Sequence, residues 1–182
     1  TGLPASGKTT LAVRMAHLLG SVGWATEVLD GDEVRRELSP ELGFGRTDRD
    51  LNVHRIGVLG TLLQKHNVVP LFAVVSPYEA SRARAIASLQ GCLLVHTTCS
   101  MESLLARDPK GLYAKALRGE IPHFTGISDP YEVPEHPDLE LHTDRETVDQ
   151  SVVRIVAPLA EAGALSEAEA VHLRAQVGRP SH

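Results

Sequence analysis

Gly2-Leu3-Pro4-Ala5-Ser6-Gly7-Lys8-Thr9 carries the spacing G-x-x-x-x-G-K-[ST], and every fixed position suits phosphate chemistry. The glycines let the backbone curl so that its N–H groups point at phosphate oxygens. Lys8 brings a point charge to the β- and γ-phosphates, and the Thr9 hydroxyl can ligate Mg²⁺. Thr10 continues into a helix expected from Lys8 to Leu19, whose positive dipole end faces the same anion. Such a loop joins a strand to a helix. Only Thr1 precedes Gly2, so a first strand is expected ahead of the sequence, with Thr1 as its end.

Asp30 and Asp32 flank Gly31. A carboxylate here can hold metal-bound water or accept a proton from an attacking hydroxyl. Equally, the pair can form a turn in which Asp32 caps the helix from Glu33. Arg35, Arg46, Arg49 and Arg55 follow, with Asn52 among them. They suit a multiply charged oxyanion or a solvated face, and Arg49 and Asn52 share one helical face. Phe44 sits between glycines, either to stack on a nucleobase or to anchor its loop. Residues 107–137, of which Gly119–Pro137 is rich in Pro and Gly with no clear period, read as a lid that excludes water from phosphoryl transfer. Phe124 in this lid offers a second ring.

The elements that must position these groups alternate. Strands are expected at Trp24–Leu29, Val68–Val75, Cys92–Val95 and, at an edge, Leu139–His142. Helices are expected at Glu33–Leu38, Asp48–His66, Glu79–Leu89, Met101–Arg107, Tyr113–Arg118 and Ser166–Gln176. One more spans Thr147–Ala162, which Pro158 should kink or end early. The α/β alternation predicts a mainly parallel sheet with helices on both faces, and ligands in such sheets bind at the carboxyl ends of the strands. The phosphate loop, Asp30, Asp32 and Ser76 all fall there. We read one domain, with residues 160–182 as a helical extension.

Composition narrows the function classes. The 182 residues are 42% hydrophobic and 23% charged with net charge −5, which gives no basic footprint for nucleic acid. No apolar run reaches the ~18 residues that span a membrane. Two cysteines, Cys92 on a buried strand and Cys99 just after it, form no disulfide framework or zinc motif. They suit a reducing compartment such as the cytoplasm, with any organellar targeting left to residues ahead of Thr1. None of the nine histidines has metal-ligand spacing, and His17, His66, His96 and His172 read as structural.

Several strings together resemble the adenylylsulfate kinase family. They are Gly2 to Thr10, Asp30-Gly31-Asp32-Glu33-Val34-Arg35, Leu42-Gly43-Phe44, Asp48-Arg49-Asp50-Leu51-Asn52, Ser76-Pro77-Tyr78, Arg107-Asp108-Pro109-Lys110-Gly111-Leu112-Tyr113 and Phe124-Thr125-Gly126-Ile127. The resemblance reaches about Leu159. It implies a three-layer P-loop fold with a lid, and transfer of the ATP γ-phosphate to the 3′-hydroxyl of adenosine 5′-phosphosulfate with Mg²⁺. It implies ATP contacts along Gly2–Thr10 and at Arg107, and acceptor contacts at Asp32, Arg35, Phe44, Arg49, Asn52, Val75, Ser76, Lys110, His123 and Phe124. Phe44 and Phe124 match rings that sandwich the acceptor adenine.

The catalytic set is Lys8, Asp30 and Ser76, with Thr9 and Asp30 toward the metal. The family pattern sometimes makes the serine a phosphoenzyme. In-line transfer needs no such step, so Ser76 is taken as an acceptor contact. A homodimer, and fusion or association with ATP sulfurylase, are also implied. The chain departs from the pattern at His54-Arg55, Leu94-Val95 and Leu104-Leu105 without losing any group given a role above. Another small-molecule P-loop kinase, or a nucleotide-binding domain without catalysis, is the competing reading.

Overall fold

The computed structural model describes residues 1–177. Helix α1 (Lys8–Ser21) turns Leu11, Met15, Leu18 and Leu19 to one side, the i, i+4, i+7, i+8 spacing of a buried stripe. Strand β1 (Thr26–Asp30) runs into α2 (Gly31–Leu38), and α3 (Arg46–Lys65) leads to β2 (Val69–Ala73) and α4 (Glu79–Ala87). Strand β3 (Val95–Thr98), α5 (Met101–Arg107), α6 (Leu112–Leu117), β4 (Leu139–His142), α7 (Val148–Glu161) and α8 (Glu167–Gln176) complete the order.

The strands pair in parallel as two ribbons. Asp30 lies opposite Ala73 at the carboxyl end of β1 and β2, and Thr98 opposite His142 at that of β3 and β4. Thr1 lies along the free edge of β3. Its amino group donates to Val95 O (2.8 Å), its carbonyl accepts from Thr97 N (2.9 Å), and its hydroxyl reaches Val75 O (2.6 Å). Below Thr1 a cavity of about 1160 Å³ separates β2 from β3, lined by Leu71, Val95, Leu11, Met15 and Leu159 among others. This is why β2, expected to be covered on both faces, is only half-buried from Val69 to Phe72.

The main core joins α1, β4, α7 and α8, with Leu141, Val152, Val156 and Leu173 fully enclosed. Each such side chain contributes roughly 1.5–3 kcal/mol by leaving water. The part of the C-terminal extension within the described residues is therefore built into the core, and Trp24 Nε1 donates to Glu169 of α8 (3.2 Å). Residues 178–182 of that expected extension lie outside the described residues. A second cluster joins Leu104 to Tyr113, Ala116 and Phe124 of the segment expected as a lid, and a third joins Leu29, Val34 and Ile56.

Three expectations need correction. Pro158 does not end α7 early, because Ala162 N still bonds to Pro158 O (2.9 Å) and the helix runs to Glu161. Strand β3 begins at Val95, not Cys92. The Leu94 amide is taken by the Asp138 carboxylate (2.6 Å) and β4 offers no partner before Leu139, so Cys92 is exposed. The residue that caps α2 is Asp30, not Asp32: its side chain accepts from Asp32 N and Glu33 N.

Candidate active site

The phosphate loop is shaped by what surrounds it. Gly2 has φ +146°, and a Cβ there would collide with the Thr97 carbonyl, so only glycine fits. Ser6 is buried with its hydroxyl 2.7 Å from Thr97 Oγ1. Gly7, at φ 89°, starts α1 without a side-chain cap among the described residues. The first-turn amides are thus left to an anion. Lys8 Nζ donates to Leu3 O (2.7 Å), folded over its own loop. Burial pushes its pKa down to about 8, against the pull of Asp32 and Asp30.

Asp30 joins this loop to the next element. Its Oδ2 accepts from Thr9 Oγ1 (2.6 Å), and its Oδ1 accepts from Asp32 N (2.9 Å) and Glu33 N (3.3 Å). Burial works to raise its pKa, but the hydrogen bonds from Thr9 and the two amides outweigh it and hold the carboxyl below its usual range. Asp32 is exposed and meets Lys110 of the lid at 2.6 Å.

The four arginines separate. Arg46 stacks on Tyr78 (4.3 Å) near Glu132, and Arg55 bonds to Ser39 and Glu41; both hold structure. Arg35 bonds to Gly43 O and lies 4.9 Å from the centre of the Phe44 ring. Arg49 donates to Phe44 O (2.7 Å) and His123 O (2.5 Å), with Asp129 at 3.8 Å. Asn52, 4% exposed, has an Oδ1 without a hydrogen-bond partner among the described residues. A buried orphan oxygen of this kind is costly unless something binds it.

The two phenylalanines differ. Phe44 is 53% exposed, whereas Phe124 is 7% exposed and packs edge-on against Tyr113 at 5.0 Å. Phe44 is free to meet a ligand, and Phe124 anchors the lid. Tyr113 OH reaches Pro4 O (3.0 Å), and a Cβ on Gly126 would come within 2.7 Å of Leu3, so the lid packs on the phosphate loop. Ser76 is buried with φ +36°, and Val75 O accepts from Thr1 Oγ1. Arg107 donates to Thr143 O (2.5 Å) and Oγ1 (3.1 Å), and Thr143 Oγ1 reaches Ser6 O (3.0 Å). Sequence reasoning missed Thr143 and gave Tyr113 no role beyond its place in the Arg107–Tyr113 string. The signal for Thr143 is its place just past the carboxyl end of β4.

The family model described as adenylylsulphate kinase matches residues 1–142. The chain belongs to this family. An adenylyl-sulfate kinase from Chloroflexus aurantiacus is 50% identical over 159 residues, covering 87% of this chain and 86% of the relative. One from Myxococcus xanthus is 48% identical, covering 93% of this chain and 94% of the relative. The Mycobacterium tuberculosis APS kinase solved in complex with AMPPNP and APS superposes with a TM-score of 0.84 at 37% identity, covering 88% of this chain and 94% of that one. The fold is that of a P-loop kinase, and the function is adenylyl-sulfate kinase activity, an ATP-dependent phosphoryl transfer to an alcohol acceptor. Among the described residues no helix is long and apolar enough to cross a membrane.

Proposed function

We propose that Gly2–Thr10 bind the ATP phosphates and that Asp30 orients the 3′-hydroxyl of adenosine 5′-phosphosulfate for in-line attack on the γ-phosphorus. The observation that carries this is the 2.6 Å contact between Thr9 and Asp30, which sets a carboxylate at the mouth of the phosphate loop. A new bond forms from the ribose oxygen to phosphorus as the bond to the ADP oxygen breaks, and the hydroxyl proton passes to Asp30 and then to water. A carboxyl with a lowered pKa is a weak base. Asp30 therefore acts first by accepting a hydrogen bond and takes the proton late, which suits a loose phosphoryl-transfer transition state.

Thr9 and Asp30 supply the hard oxygen donors that Mg²⁺ prefers, and the ion when bound neutralises charge on the β- and γ-phosphates. Arg35, Arg49, Asn52 and Lys110 surround the acceptor's anionic groups and Phe44 stacks on its adenine, while Phe124, packed on Tyr113, anchors the segment beside it. Ser76, Val75 and His123 close the acceptor side, and Arg107 packs near the ATP adenine. A coupled ADP-release assay with ATP, Mg²⁺ and adenosine 5′-phosphosulfate, with the product identified by mass, tests this. Acceptor-dependent ADP release with a 3′-phosphorylated product supports it, and release with another alcohol alone overturns the acceptor.

A further inference from the structure

Arg82 of α4 is a buried cation (2% exposed) that none of the steps above uses. Its NH1 donates to Ser76 O (2.6 Å), and its NH2 donates to Glu132 O (2.6 Å) and to the Glu79 carboxylate. Its guanidinium lies 5.8 Å from the centre of the Tyr131 ring. Nε has no hydrogen-bond partner among the described residues. Burying a charge carries a large desolvation penalty. A cation kept here at that cost must fix something an apolar residue would not.

What it fixes is visible in its partners. Ser76 adopts φ +36°, a strained region for a residue with a Cβ that persists only where the surroundings impose it. The Glu132 carbonyl belongs to the arm by which the lid returns to the sheet. The same arm is tied to the Ser76 loop by Glu132 N to Pro77 O (2.8 Å), Glu79 N to Glu132 Oε2 (2.7 Å) and Tyr78 OH to Asp129 (2.7 Å). Asp129 in turn faces Arg49. We infer that Arg82 is a positioning residue for the acceptor half of the site: its planar fork spans the Ser76 and Glu132 carbonyls and so sets the distance between the Ser76 loop and the lid. The inference rests on reading Ser76 as an acceptor contact. A lysine, one point charge, cannot span both carbonyls in the same way.

The test compares wild type, Arg82→Lys and Ser76→Ala by steady-state kinetics with ATP and adenosine 5′-phosphosulfate varied separately, and adds binding of a non-hydrolysable ATP analogue as a check on the phosphate loop. Arg82→Lys is expected to raise the acceptor KM about tenfold while the ATP KM and analogue affinity stay within about twofold. In Arg82→Ala, added guanidinium is expected to lower the acceptor KM again and ammonium is not. An unchanged acceptor KM in folded Arg82→Lys, or equal losses toward both substrates, overturns the inference. If Ser76→Ala leaves the acceptor KM unchanged, it is the Ser76 reading that fails. Should Arg82→Lys not fold, Tyr78→Phe removes one bond of the same tie, the one to Asp129 (2.7 Å): a rise of about threefold in the acceptor KM supports the inference, and no rise overturns it.

Discussion

Lys110 Nζ lies 2.6 Å from Asp32 Oδ2, joining the lid to the carboxyl end of β1 across 78 residues. Both side chains are exposed, and an exposed pair contributes at most about 1 kcal/mol. The hydrogen bond to Asp32 raises the Lys110 pKa, so the cation is present throughout neutral pH. Lys110→Ala is expected to leave the melting temperature nearly unchanged and to raise the acceptor KM about tenfold. Paired thermal melts and kinetics check this. A large loss of stability with an unchanged KM would make Lys110 a strut rather than a ligand contact.

Asp30 has two roles that two variants separate. Asp30→Asn keeps a side-chain oxygen to cap α2 and removes the charge. Asp30→Ala removes both, at an added stability cost of about 1 kcal/mol for the cap. Both are expected to lower kcat by at least about 100-fold, with ATP analogue affinity changed much less. A kcat for Asp30→Asn within about threefold of wild type would remove the carboxylate from the chemistry.

Asn52 predicts an unusual pairing of effects. Its Oδ1 is buried and has no hydrogen-bond partner among the described residues, so deleting it removes a desolvation penalty of roughly 1–3 kcal/mol from the ligand-free protein. Asn52→Leu is expected to hold or raise the melting temperature while weakening acceptor binding at least about tenfold. Calorimetric titration with adenosine 5′-phosphosulfate beside a thermal melt reads both. Undiminished acceptor affinity contradicts the assignment.

The phosphate loop was legible in the sequence because its function fixes residue type at each position. The helices were legible because their apolar spacing is local. What escaped depends on pairing. Nothing within Cys92–Leu94 announces that Asp138 takes the Leu94 amide, and nothing in Asp30-Gly31-Asp32 tells which carboxylate turns back to cap. The arginines show the same limit. Arg46 and Arg49 share a helix and a chemistry, but Tyr78 and Glu132 claim the first while Phe44, His123 and Asp129 frame the second.

His96 predicts the pH dependence. It is 7% exposed and stacked on Tyr131 at 6.0 Å, with Glu140 3.8 Å from its Nδ1. Burial lowers its pKa in the folded chain, and Glu140 only partly offsets this. The unfolded chain, with an ordinary pKa of about 6.5, therefore takes up the proton first as pH falls. The stabilising contribution of neutral His96 is complete above about pH 6.5 and is lost as pH falls from there toward the lower folded pKa, at no more than about 1.4 kcal/mol per unit. Denaturant unfolding at several pH values between about 5 and 7.5 reads this slope, a window chosen to lie above the lowered carboxyl pKa values of Asp30 and Asp108. His96→Phe keeps a ring against Tyr131 and removes the titration. It is expected to reduce the slope over this window, leaving the part due to the Thr1 amino group, whose pKa burial lowers to about 5, and a slope identical to wild type would place the acid sensitivity elsewhere.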